Sequence, residues 1–107
     1  MKSYSVVFSP EAETQIAEIY RYIAAKASPE VAARYTDDLV TCCEALRTFP
    51  HRGVRRNDIR PGLRVTNHRK RTAIAFLVEE GRVVILGLFY GGRNYDAVLS
   101  ESEQETE

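Results

Sequence analysis

A chain of 107 residues, 44% hydrophobic, with fifteen basic and fifteen acidic side chains, has room for one domain. A domain of that size buries ~60–70% of the surface its unfolded form exposes. No apolar run approaches the ~20 residues needed to cross a bilayer, and the opening MKSYSVVFSPE lacks the apolar centre of a secretory signal, so the expected setting is the cytoplasm, without a membrane. The zero formal charge conceals segregation: residues 9–50 carry a net −3, residues 51–95 a net +7, and residues 96–107 five acids and no base.

Tyr4, Val6 and Phe8 alternate with Ser3, Ser5 and Val7, the period of a strand. Ser9-Pro10-Glu11 then opens a helix: the hydroxyl accepts from a free amide, proline suits the first helical position, and the acid complements the positive helix end. Ala12, Ile16, Ile19 and Ile23 form its apolar stripe, widened by Tyr20. Ser28-Pro29-Glu30 repeats the start signal. A second stripe follows at Ala32, Tyr35, Leu39, Cys42, Leu46 and Phe49, in steps of three and four that predict an antiparallel pairing of the two helices. Pro50 ends that helix by driving residue 49 out of α geometry. The adjacent Cys42 and Cys43 read as buried thiols in a reducing compartment rather than as a redox pair.

The stretch from His51 to Arg71, HRGVRRNDIRPGLRVTNHRKR, carries eight of the fifteen bases against the single acid Asp58. Beyond Pro50 the period changes. Leu63–Asn67 and Thr72–Glu79 read as strands, and Glu80-Gly81 turns into a last strand over Arg82–Tyr90. VVILGLFY within it is apolar on both faces, as in a central strand. A helical hairpin covers one face of a sheet, so the other is left to a partner or to curvature of the sheet itself. Gly91-Gly92 permits a sharp exit toward Arg93-Asn94-Tyr95. The order β-α-α-β-β-β makes one α+β domain over residues 1–99. The acidic 100–107 end is too polar to order itself; it solvates the chain or competes for the basic surface.

Enzyme signatures are sparse. Two histidines without a second ligand at suitable spacing build no zinc site, and neither a phosphate-cradling glycine loop nor a nucleophile elbow occurs, so no metal or cofactor is expected. The candidates that remain are basic. Arg52, Arg55 and Arg56 fall before the second strand, Arg60, Arg64, Arg69, Lys70 and Arg71 on or between strands, and Arg93 after the last. Guanidinium groups capture phosphate or carboxylate in a bidentate manner, so RNA, DNA or an acidic protein segment would each fit. His68 is a candidate for proton transfer, and Tyr90 and Tyr95 for stacking on a base or protonating a leaving group.

Across residues 4–99 the chain resembles the ParE/RelE toxins of type II toxin–antitoxin modules, often labelled plasmid stabilisation proteins. The likeness lies in the opening strand followed by FSPEAETQIAEIYRYIA, then SPEVAARYTDDL, the FPHRG turn, DIRPGLRV before an apolar hairpin, and a last strand ending in FYGGRNYD. It implies a helical hairpin packed on a small antiparallel sheet, an antitoxin partner in a hetero-oligomer, and one of two activities.

RelE-like members cut mRNA in the ribosomal A site, with Arg and Lys holding phosphate and a C-terminal Tyr or His as acid. In that case Arg64, Arg71 and Arg93 supply charge, and His68, Tyr90 or Tyr95 move protons. ParE-like members lack that set and inhibit DNA gyrase; the early long helices and Pro61-Gly62-Leu63-Arg64 favour this branch. ParE proteins often end the last strand in a His-x-Arg-Met-Asp-like stretch. Tyr90 to Asp96 here keeps Arg93 and Asp96 but lacks the His and Met. The expected target- or antitoxin-binding residues are Arg52, Arg55, Arg56, Arg60, Arg64, Arg69, Arg71 and Arg93. A binding module without toxicity is the third expectation, and direct nucleic-acid binding is secondary.

Overall fold

The computed structural model describes residues 4–91. Strand β1 (Ser5–Phe8) leads into α1 (Pro10–Lys26) and α2 (Pro29–Glu44), a 3₁₀ turn at Ala45–Arg47, and strands β2 (Val54–Arg55), β3 (Leu63–His68), β4 (Thr72–Glu79) and β5 (Arg82–Tyr90). This is the expected α+β architecture, with one addition, the two-residue β2. Both helices start as their sequences dictate: Ser9 Oγ accepts from the amide of Ala12 and Ser28 Oγ from that of Val31, each at 3.1 Å.

The sheet order is β1-β5-β4-β3-β2. Strands β2 to β5 are antiparallel, as expected, whereas β1 lies parallel to β5, with Val6 beside Val83. The sheet is therefore mixed. The helical hairpin carries the chain from β1 at one edge of the sheet to β2 at the other, and the antiparallel strands that follow return until β5 lies beside β1 in the same direction. Strand β5 is paired on both sides, the central position that its two apolar faces require.

Beneath the hairpin, Leu39 and Leu46 pack with Ile74, Phe76, Ile85 and Leu88. The opposite face is covered from within: Ile59, on the turn before β3, packs against Leu63, Val65, Ala75 and Phe89. A β-bulge at Ala75/Phe76 explains how β5 serves both layers. Ala75 pairs with Gly87 and Phe76 with Ile85, so Leu86 is the extra residue and the alternation reverses there. Val83, Ile85 and Leu88 consequently share the helical face while Phe89 points the other way. The capping residue of α1 and one side chain within the helix satisfy the disturbed ladder: Ser9 Oγ donates to the Leu86 carbonyl at 3.1 Å, and the Leu88 amide donates to Gln15 Oε1 at 2.7 Å.

The second helix departs from its expected stripe. The fully buried seam is Ala32, Thr36, Leu39, Cys43 and Leu46, one residue away from the expected Tyr35 and Cys42, which are half-buried. Thr36 is acceptable there because its hydroxyl donates to the Ala32 carbonyl at 3.0 Å. Phe49 was expected to close the stripe, yet it is 63% exposed. The chain tightens from α to 3₁₀ at Ala45, which advances each residue further around the axis and turns Phe49 outward before Pro50. Burial pushes the Cys43 thiol up to about 12, so it stays protonated in the core; Cys42 is only half-buried.

Candidate functional site

The basic stretch divides into two regions at opposite ends of β3. The first is the loop from His51 through β2 to Pro61. Gly53 has φ +80°, and a Cβ there would come within 2.4 Å of the Val65 carbonyl oxygen, so the FPHRG turn can press against β3 only with glycine. Arg64 holds the same loop: its Nη1 donates to the carbonyls of His51 at 2.9 Å and Arg52 at 3.3 Å. Arg56 grips Asp58 with two hydrogen bonds of 3.0 and 2.8 Å. That grip holds the Asp58 carboxyl below its ordinary value. The amide of Gly62 donates to Asn57 Oδ1 at 2.8 Å and closes the turn that carries Ile59. Arg52 and Arg55 are exposed and Arg60 half-buried, and among the described residues no carboxylate pairs with any of them.

The second region surrounds the β3–β4 turn. Arg69 and Lys70 both have positive φ, 53° and 58°, as the central pair of a mirror-image hairpin turn. The turn brings Arg69 Nη2 to Asp38 Oδ2 on α2 at 2.8 Å and leaves Arg71 exposed. Behind it stands an aromatic group. Tyr35 meets His68 at 5.3 Å and Tyr90 at 5.6 Å between ring centroids, both edge to face, while Tyr22 meets Tyr90 at 5.8 Å. The Tyr35 hydroxyl and Thr72 Oγ1 share a 2.6 Å hydrogen bond. Burial raises the Tyr35 phenol above its ordinary value, against the opposing effects of the Thr72 bond and of Arg71 and Arg69 nearby. Burial, with Arg69 adding to it, lowers the pKa of His68, whose Nε2 is buried and unpartnered. Tyr22, Val31, Tyr35, Arg69, Arg71 and Tyr90 face a cleft of about 350 Å³.

Of the residues named for proton and charge transfer, His68, Arg71 and Tyr90 therefore stand at one end of β3. Arg64 stands at the other, four residues away, or roughly 13 Å at strand spacing. Arg93 and Tyr95 lie outside the described residues, as do Asp96 and the acidic 100–107 segment. Sequence reasoning missed Tyr22 and Lys26, one helical turn apart on α1, with Lys26 Nζ 5.7 Å from the Tyr22 ring centroid. An aromatic lying outside the apolar stripe was the available signal. Among the described residues no cluster of His, Cys, Asp or Glu could hold a metal ion, and no helix is long and apolar enough to cross a membrane.

A helical hairpin laid across one face of a five-stranded mixed sheet is a fold shared with solved structures of toxin–antitoxin systems. The chain matches the family model of the ParE toxin of type II toxin–antitoxin systems, parDE, over residues 6–95, and it belongs to that family. A solved structure of the chromosomal ParDE toxin–antitoxin system from P. aeruginosa is similar with TM-score 0.73 and 21% identity, covering 83% of this chain and 97% of that one. The toxin–antitoxin complex RelBE2 from Mycobacterium tuberculosis is similar with TM-score 0.58 and 20% identity, covering 87% and 97%. A search of curated proteins finds no match. The protein is thus a toxin of a type II toxin–antitoxin system, similar in fold to chains of both a ParDE and a RelBE2 structure.

Proposed function

We propose that this toxin acts in the cytoplasm by binding DNA gyrase and is neutralised by a cognate antitoxin in a hetero-oligomeric complex. The supporting observation is the arrangement of its basic groups. Arg64 is engaged with loop carbonyls, and His68 is buried beneath Tyr35, whereas Arg52, Arg55 and Arg60 lie along one loop without acidic partners among the described residues. Cations displayed on a loop suit recognition of an acidic protein surface or a phosphate backbone. Proton transfer by contrast requires acid and base within reach of one reacting atom. Purified protein added to gyrase should abolish supercoiling, and Arg52→Glu/Arg55→Glu should restore it. Full supercoiling at micromolar excess of the unaltered protein would refute the gyrase reading.

The second reading is a ribosome-dependent endoribonuclease working without metal. It is favoured by Arg71 and Tyr90 facing one cleft, where a cation and a phenol could serve a phosphate. Arg93 and Tyr95 would complete the set. Primer extension on translated mRNA separates the two: cuts at codon edges that vanish in Arg71→Ala and Arg93→Ala favour the nuclease.

A further inference from the structure

The connection between the 3₁₀ turn and β2 spans one whole end of the sheet. The Arg47 carbonyl accepts from the Tyr4 amide at 3.1 Å, at the head of edge strand β1. Val54 pairs with Val65 at the opposite edge. Residues 48–53 therefore cross the four strand spacings from β1 to β2, ~19 Å.

Two of the four large apolar side chains that stand out among the described residues lie on this connection. Phe49 is 63% exposed and Val54 65%, the highest values of the four. One exposed apolar residue by itself is ordinary. Here two share a short segment with the exposed cations Arg47, Arg52 and Arg55. Two acids on the same side are already engaged, Asp58 by Arg56 and Glu79 by Arg82, each at 2.8 Å.

The segment is also held in shape. Pro50 is buried, Gly53 is pressed against β3, and Arg64 donates to the His51 and Arg52 carbonyls. Fixing a chain while leaving its apolar side chains in water buries little of its own surface. It does lower the ordering cost of an association.

Width and composition select the partner. A span of ~19 Å exceeds a small ligand and suits a macromolecule. A phosphate backbone would engage the arginines and leave Val54 in water. A protein surface that offers both carboxylates and an apolar recess uses both kinds of group, and aromatic and arginine side chains are the ones enriched where protein interfaces draw their affinity.

We propose that residues 47–55 are the target-facing surface of this toxin and dock on an acidic protein surface, with Phe49 entering an apolar recess and Arg47, Arg52 and Arg55 meeting carboxylates. The inference rests on the gyrase reading and adds the apolar anchor and the class of surface recognised. The arginines steer the encounter and fix its register, whereas Phe49 slows dissociation.

The test uses the full chain and, as probes, purified gyrase without DNA and a labelled DNA duplex without gyrase. The dissociation constant for gyrase is measured at low and high salt for the unaltered chain, Phe49→Ala, Arg52→Glu/Arg55→Glu, and Arg21→Glu/Arg34→Glu. The last makes the same change of net charge on the helical hairpin. All five altered positions are exposed, and thermal melting checks that each variant is folded. The proposal expects Phe49→Ala and Arg52→Glu/Arg55→Glu each to bind gyrase ~30-fold or more weakly, with the hairpin variant unchanged. Salt should weaken the unaltered chain and Phe49→Ala in parallel, and Arg52→Glu/Arg55→Glu much less. Gyrase binding by Phe49→Ala as tight as by the unaltered chain overturns the proposal and leaves the gyrase reading standing. Absence of gyrase binding by the unaltered chain, with or without DNA, overturns both. Binding of the duplex alone that depends on Arg52 and Arg55, with gyrase captured only when DNA is present, assigns the surface to nucleic acid and also overturns the proposal.

Discussion

His68 sits beneath the edge of Tyr35 with a buried Nε2 that finds no partner, where the charge of Arg69 opposes its protonation and that of Asp38 only partly offsets this. Burial penalises the imidazolium, so the folded pKa lies below the unfolded value of ~6.5. The sign follows directly: the unfolded chain takes up the proton first as the pH drops. The contribution is fully present above the unfolded value and is lost as pH falls from there through the folded value. The melting temperature should decline between pH 7 and 5 in the unaltered chain, and His68→Phe should flatten that part of the profile. An identical decline in both proteins would place the sensitivity elsewhere. At Gly53 the backbone, not a charge, sets the requirement. Gly53→Ala combines a left-handed φ with a backbone contact no Cβ can tolerate, and should destabilise by more than ~1 kcal/mol in urea unfolding. The two positions differ in how far the sequence exposes them. A glycine in FPHRG beside basic residues reads as a turn from the sequence alone. The burial of His68 does not, because it depends on Tyr35 arriving from another element.

The β3–β4 hairpin and the β5 bulge show how local rules and packing share control of an element. Arg69 and Lys70 occupy a turn whose positive φ values favour Asn and Gly, at a cost of order 1 kcal/mol for each ordinary side chain. Lys70→Gly should therefore raise stability by about 0.5–1 kcal/mol in chemical denaturation, since Lys70 makes no ion pair among the described residues. A loss of stability would show that the strain is not where the dihedral angles put it. The bulge depends on α1: Gln15→Ala leaves the Leu88 amide without its acceptor and should destabilise by about 1–3 kcal/mol. Neither turn strain nor bulge follows from alternation of apolar residues, since VVILGLFY is apolar at every position but one and fits either register. The helix starts, in contrast, were legible, because Ser-Pro-Glu states its capping chemistry within three residues. The end of α2 was not: the 3₁₀ turn that exposes Phe49 is a compromise between Pro50 ahead and Leu46 already anchored in the core.

At the scale of the molecule, the proposed antitoxin would act as a ligand of the folded state. At a hundredfold excess over its dissociation constant it should stabilise the toxin by ~2.7 kcal/mol, seen as a rise in melting temperature that grows with partner concentration. An unchanged melt at that ratio would exclude a partner that binds the folded chain. By itself the sequence determined the α+β class, the element order and the concentration of positive charge before and within the strands. Periodicity, capping residues and composition are local properties, and each is written in consecutive residues. The family resemblance was legible for the same reason, since it rests on the order and spacing of such segments. Only the tertiary structure decided that β1 runs parallel to β5, that the second sheet face is filled by Ile59, and that Arg64 lies apart from His68, Arg71 and Tyr90. It alone joined Tyr22, Tyr35 and Tyr90 to Arg69 and Arg71 around one cleft, from two helices, a turn and the end of one strand. Contacts between residues dozens of positions apart are set by how the hairpin crosses the sheet, and no local pattern encodes that crossing.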